Sequence, residues 1–177
     1  ENNYSWPHRW KICSENDAHA LYVVLSDLQK ATNSPIYSLL KHQILLSVIT
    51  RQSGNGAWLH GEWTSHMEAH FRLNASAMHL LMDAWEENND PAIEASLKNG
   101  VTFISRQKDT LDCGIWFLHD DLELSVAKMI DSPFRWLKSR VLGKSVANML
   151  VLNTHLDITI LLDRYGKLTQ DDQFNGL

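Results

Sequence analysis

The sequence predicts an all-α fold of repeated helical hairpins, and three observations carry that prediction. Self-similar segments recur: Asp27-Leu-Gln-Lys-Ala-Thr-Asn-Ser-Pro35 superposes on Asp83-Ala-Trp-Glu-Glu-Asn-Asn-Asp-Pro91 at an offset of 56 residues. Asp163-Arg-Tyr-Gly-Lys-Leu-Thr-Gln-Asp171 follows the same outline. The second half of the unit recurs as well, Ile49-Thr-Arg-Gln52 matching Ile104-Ser-Arg-Gln107 and Gly56-Ala-Trp58 matching Gly114-Ile-Trp116. Finally, apolar residues fall at helical spacing in front of each polar, Pro-containing turn, which is the sign of a repeated supersecondary unit.

The elements follow in order. Ser14-Glu-Asn-Asp17 is a capping-box pattern that opens a helix over 18–28, with Leu21, Val24, Leu25 and Leu28 expected on its buried face. Pro35 and Pro91 fall in the first turn of the second helix of each hairpin, where the missing donor costs nothing. Leu39, Leu40, Ile44, Leu45 and Ile49 are expected to bury one of those helices; Ile93, Leu97, Val101 and Ile104 bury the other. Helices over 75–85 and 154–165 begin the second and third units. Strand signal is almost absent, the exception being 141–152, where Gly143 and β-branched residues read as a loop or short strand. The hairpins therefore span about 14–63 and 64–121, with a third begun over 150–177, in a single domain.

Composition narrows the function. The 177 residues carry 44% hydrophobic and 21% charged residues with a net charge of −5, a globular profile without the basic footprint that nucleic acid or an anionic membrane demands. Cys13 and Cys113 stand alone, which excludes zinc ribbons and disulfide frameworks while leaving one bridge open. No apolar run reaches the roughly 18–20 residues that span a bilayer. The chain opens on Glu1 without a basic-then-apolar leader, as a processed product or a piece of a longer chain would. The Asn74-Ala75-Ser76 sequon falls inside a helical pattern and reads as chance. No phosphate loop, dinucleotide fingerprint or nucleophilic triad is present. Seven Trp and nine His remain, several of them beside carboxylates.

Those residues gather in two long loops, 53–64 and 108–121, and long loops on a rigid scaffold are where function tends to sit. In His60-Gly-Glu-Trp-Thr-Ser-His-Met-Glu-Ala-His70, flat rings (Trp58, Trp63) stand beside hydroxyl-bonding groups (His60, Glu62, His70), the combination a sugar ring needs. The equivalent loop supplies Trp116, His119, Asp120 and Asp121, and repeat equivalence puts both loops on one rim. Paired carboxylates or a His base there suit glycoside or uronate chemistry. The plainer alternative gives Trp58 and Trp63 to packing, has Glu62 and Glu68 cap the following helix, and makes Asp120 or Asp121 the N-cap of the next one. His19 and His155 recur at equivalent positions, which suggests a structural role such as bonding a neighbouring hairpin's carbonyl, with His155 or Asn153 also in reach of a cleft. A metal is a sharper alternative: if Ser65 starts a helix, His66 and His70 share a face at i and i+4, although no HExxH pattern is present.

Stacked hairpins of this period, each closed by Gly-x-Trp, resemble the α/α-toroid or six-hairpin superfamily. That superfamily includes glycoside hydrolases, polysaccharide lyases and uronosyl epimerases. The resemblance runs over 18–172, and Val151-Leu-Asn-Thr-His-Leu-Asp157 leading into Leu161-Leu-Asp-Arg-Tyr165 is most similar to the end of a uronosyl epimerase toroid domain. It implies a partial α/α toroid whose rim holds a polysaccharide, neutral or acidic, with His60, Glu62, His119 and Asp120 as acid and base. Trp58, Trp63, His70, Trp116, Asp121 and His155 would bind the substrate, and no cofactor is expected. The competing reading is a non-catalytic helical scaffold that binds a protein. A closed six-hairpin ring at this period needs about twice the chain. The expectation is therefore an incomplete toroid, either with hairpins missing or with open edges buried against a partner or a second copy.

Overall fold

The computed structural model describes residues 14–60, 67–130 and 143–174. Helices α1 (Glu15–Thr32), α2 (Pro35–Arg51), α3 (Phe71–Asn88), α4 (Pro91–Ile104), α5 (Val126–Ile130) and α6 (Leu152–Thr169) dominate it. The chain is all-α in class and its helices pair as hairpins, α1 with α2 and α3 with α4. Among the described residues no helix is long and apolar enough to cross a membrane.

The local chemistry that sets the helix ends also makes the repeat visible. Ser14 caps α1, its hydroxyl accepting from the Asp17 N–H at 3.2 Å, and Asp90 caps α4 through Ala92 N–H at 2.8 Å. Pro35 and Pro91 each sit at the first helical position. The long helices α1, α3 and α6 all stop on a left-handed residue, Asn33 (φ 53°), Asn89 (φ 49°) and Gln170 (φ 57°), whose N–H returns to the carbonyl four residues back.

α1, α3 and α6 lie side by side in one layer, with α3 in the middle, and α2 and α4 pack behind them. The core is centred on α3, where Ala75, Ala77, Met78, Leu80, Leu81, Met82 and Ala84 are buried against Ile93, Leu97, Val101 and Ile104 of α4, as expected. Leu161, Leu162 and Tyr165 extend it into α6.

The first hairpin departs from its pattern. Leu21, Val24 and Leu28 are 49, 52 and 38% exposed, and the buried face of α1 is instead Glu15, Tyr22, Leu25 and Ser26. On α2, Leu39 and Leu40 are 55 and 42% exposed, and burial falls on Lys41, Leu45 and Val48. The reason is that α1 turns toward α3 with polar residues. His19 bonds Asp83 (3.0 Å), and Tyr22 bonds Glu87 (3.1 Å), whose carboxylate also takes the buried Lys41 ammonium at 2.7 and 2.8 Å.

The second correction concerns strands. The 108–121 loop contains an antiparallel hairpin, β1 (Lys108–Leu111) with β2 (Gly114–Phe117), closed by Asp112-Cys113 in register Leu111↔Gly114. The described part of 141–152 is irregular up to α6. The hairpin's signal was available: Thr110, Ile115, Trp116 and Phe117 are strand formers on either side of an Asp-Cys-Gly turn.

Candidate functional site

The loop ends of the hairpins meet in a ribbon of short backbone pairings. His60 N–H donates to Glu68 C=O (2.6 Å), Phe71 N–H to His119 C=O (3.0 Å), and Asp121 N–H to Ala69 C=O (3.1 Å). Segments 58–60 and 68–71, close in sequence, and 119–121, distant from both, are thereby laid side by side. His60, His70, His119 and Asp120, each singled out in the sequence, come together at this end of the helices.

Each is held by a specific contact. His60 is 3% exposed and its Nε2 pairs with the Glu15 carboxylate at the start of α1; Arg51, at the end of α2, pairs with the same carboxylate at 3.3 Å. His70 and His119 meet edge to face with centroids 4.3 Å apart. The Thr154 hydroxyl, from the first turn of α6, bonds His119 Nδ1 at 2.6 Å. Asp120 caps the 3-10 turn Asp121–Leu124 through Leu122 N–H at 2.9 Å, the capping role expected for one of the two aspartates. Its other oxygen, Oδ2, is buried with no partner among the described residues.

Burial sets the protonation states. Desolvation, with His119, His60 and Arg72 nearby, lowers His70 to about 3. Desolvation and Arg72 lower His119 to about 4, so both imidazoles are neutral at pH 7. Desolvation raises Asp120 to about 8, with Asp121 and Glu68 adding to it against the Leu122 bond. Glu123, 0% exposed, is raised by burial to about 7 despite the N–H groups it accepts, His119 among them. Neutral imidazoles beside carboxyls that keep their protons form a set able to accept and to deliver a proton.

Other predicted positions separate. Trp58 is a core residue: it is 0% exposed and its indole N–H donates to Val48 C=O at 2.8 Å, which corrects its assignment as a stacking platform. Trp116 is half-buried and lies flat on His155, centroids 4.4 Å and planes 10° apart. His155 Nδ1 accepts the Phe117 N–H at 3.2 Å, which assigns the proton to Nε2. Asp121 is ion-paired with Lys128. Glu62, Trp63 and His66 lie outside the described residues.

His66, the other half of the metal pair expected with His70, lies outside the described residues; of the helix expected from Ser65, residues 67–70 are not helical, and α3 begins at Phe71. Among the described residues no group of three or more His, Cys, Asp or Glu is arranged to hold a metal ion.

Two features were missed by sequence reasoning. Asn74, the sequon asparagine, is 0% exposed and clamps Trp58 from both sides, accepting its N–H (2.8 Å) and donating to its C=O (2.9 Å). The offset of 16 residues between them in a helix–loop context leaves no periodic signal. The second is a charged network along the first layer. His19 and Arg164 converge on Asp83 at 3.0 and 2.6 Å, Arg164 reaches Glu86 at 2.8 Å, and Arg72 pairs with Asp157 at 2.6 Å. Burial would raise the Asp83 carboxyl, yet the His19 and Arg164 bonds hold it below its ordinary value. The partner of His19 on the neighbouring hairpin is this side-chain carboxylate, where the repeat suggests a carbonyl.

Comparison of the chain with protein-family models, with curated proteins and with solved structures finds no match, so its chemistry is read from these residues alone.

Proposed function

We propose that the chain is a carbohydrate-active domain of the α/α-toroid type, acting on or binding a polysaccharide at the rim where the hairpin loops meet. The observation that carries the reading is the convergence of His60 from the first repeat unit with His70, His119 and Asp120 from the second, the half-buried Trp116 lying on the strand that leads into His119. Hydrolysis, elimination and epimerisation of a sugar chain all need one group to take a proton and another to give one. His119 would act as base, its ring oriented by Thr154, and the proton-bearing Asp120 as acid. Glu15 would hold His60 in place, and Trp116, backed by His155, would offer its outer face to a pyranose. The layering of α1, α3 and α6 in front of α2 and α4 supports a toroid-like arc.

The test is a binding and turnover panel of neutral and uronate-containing polysaccharides, read by calorimetry and by release of new chain ends or changed sugar stereochemistry. The wild-type chain is expected to bind at least one polymer, and Trp116→Ala and His119→Ala to weaken binding about tenfold or more, about 1.4 kcal/mol each. Binding to every polymer that neither substitution changes, or no binding at all, refutes the reading. Trp58→Ala has no place in this test because it opens the core.

The second reading, a non-catalytic interaction module, is favoured by one observation: Leu21, Val24, Leu28, Ile36, Leu39 and Leu40 expose 38–55% of their surface on α1 and α2.

A further inference from the structure

Arg72 stands in the first turn of α3, two residues after His70, with its side chain 51% exposed. Its Nε donates to Asp157 Oδ2 at 2.6 Å across the seam between the starts of α3 and α6. Asp157 lies three residues past Thr154, one turn on along the same side of α6, and Thr154 is the residue that bonds His119. The guanidinium therefore sits on the seam where His119 is fixed, and its charge reaches both imidazoles, helping to keep them neutral. Arg51 and Lys128, which also reach this end, pair with Glu15 and Asp121. A guanidinium carries N–H donors on Nε and on both Nη atoms. Among the described residues Arg72 bonds through Nε alone, which leaves its Nη edge without a partner. An ion pair this exposed adds little to stability, and α3 and α6 already pack through the core, so holding the two helices together does not account for the arrangement.

We propose that Arg72 is the residue by which this rim selects an acidic polymer, its open Nη edge taking the carboxylate of a uronate unit in the sugar chain. The inference rests on the carbohydrate reading above and names the substrate class within it. A planar guanidinium edge meets the two oxygens of a carboxylate with two parallel N–H bonds, a match that neither a hydroxyl nor an ammonium reproduces. Asp157 fixes the orientation of that edge through the Nε bond and balances the charge of Arg72, so the selection comes from directed bonds and not from a positive field. The neighbouring groups suit an acidic ligand: His70 and His119 are neutral and Asp120 keeps its proton, so none of the three repels a carboxylate. A carboxylate held on this edge belongs to the sugar unit that meets the imidazoles or to the next one along the chain, because Arg72 and His119 are fixed on the same seam.

Calorimetry of the purified chain against alginate, polygalacturonate and hyaluronan, each beside its carboxyl-reduced counterpart, and against dextran sulfate tests this. The wild-type chain is expected to bind at least one uronate polymer about tenfold or more tightly than the reduced form. Arg72→Gln should abolish that preference, weakening the acidic polymer about tenfold or more while the reduced polymer stays within about twofold. Arg72→Lys, which keeps the charge without the planar edge, should restore only part of it. Far-UV circular dichroism should show the wild-type helix signal in both variants, since the side chain is half exposed. Equal or tighter binding of the reduced polymer overturns the inference and leaves the carbohydrate reading standing. An Arg72→Gln loss that is equal for both polymers overturns it as well, being the mark of a structural role, and so does binding of dextran sulfate in place of the uronate polymers. If Arg72→Gln loses its helix signal, Arg72→Lys carries the test, and a folded Arg72→Lys with the full preference overturns the inference. No binding to any polymer overturns it together with the reading it rests on.

Discussion

Replacing Asn74 by alanine should be among the most damaging single changes in the chain, and the structure sets its size. The side chain is 0% exposed and makes three bonds: Oδ1 accepts Trp58 N–H at 2.8 Å, and Nδ2 donates to the carbonyls of Trp58 and His70 at 2.9 Å each. His70 C=O keeps the Asn74 backbone N–H at 3.1 Å, so the substitution strips mainly the two backbone groups of Trp58. Stranding a buried polar group costs roughly 1–3 kcal/mol, so with the small cavity left behind Asn74→Ala should cost about 3–5 kcal/mol. That is a large part of the roughly 5–15 kcal/mol by which a domain is stable. Asn74→Asp keeps the acceptor for Trp58 N–H but aims a carboxylate oxygen at two carbonyls, and should cost at least as much. Asn88→Ala is the control, because its single amide bond to Ala84 C=O is long at 3.4 Å; it should cost about 0.5 kcal/mol or less. Urea unfolding followed by tryptophan fluorescence and circular dichroism measures all three. A loss below about 1 kcal/mol for Asn74→Ala, at unchanged denaturant dependence, would refute the view that this amide holds the 58–60 segment to α3.

Two further outcomes follow from the same structure. Stability should peak between about pH 6.5 and 7: burial lowers His70, His119 and His79 to about 3, 4 and 4 and lowers His155 as well, so on the acid side of the peak unfolding takes up imidazole protons at all four. Over the same range it releases carboxyl protons from Asp120 and Glu123, held at about 8 and 7, which leaves a net uptake, so stability rises with pH by about 1.4 kcal/mol per pH unit for each proton of that net uptake. Above the peak the unfolded imidazoles lose their protons and release from the two carboxyls prevails, so stability falls toward pH 8; a Tm that climbs steadily from pH 5 to 8 contradicts this, and Asp120→Asn with Glu123→Gln should flatten the falling limb. Gly56→Ala should lower stability by about 2 kcal/mol or more in thermal melts, because φ there is +93° and a Cβ would stand 2.3 Å from Asn99 O; an unchanged Tm would show that the turn relaxes freely.

Much of the candidate site was legible in the sequence because the repeat brought equivalent loops to one end. The 60–70 segment names His60 and His70 as candidates and the equivalent loop names His119 and Asp120; the fold brings the four to one end, and Asp120 caps the 3-10 turn as expected of one of the two aspartates. Trp58 was misread because aromatic type and loop position do not say which way a ring points; its N–H reaches Val48 C=O inside the core. Asn74 and the Asp83–Arg164 network left no local pattern, since their partners are 16 and 81 residues away.

By itself the sequence determined the helices, their caps, the proline starts and the hairpin period, because these depend on interactions within a few residues of each other. Only the tertiary structure decided which face of each helix is buried. Leu21, Val24 and Leu28 have the periodicity of a core face, but burial depends on whether a neighbour stands opposite, and on α1 the α3 neighbour is met by His19 and Tyr22 instead. The same holds for the protonation states at the rim, which arise from desolvation that three segments create only when they are folded together.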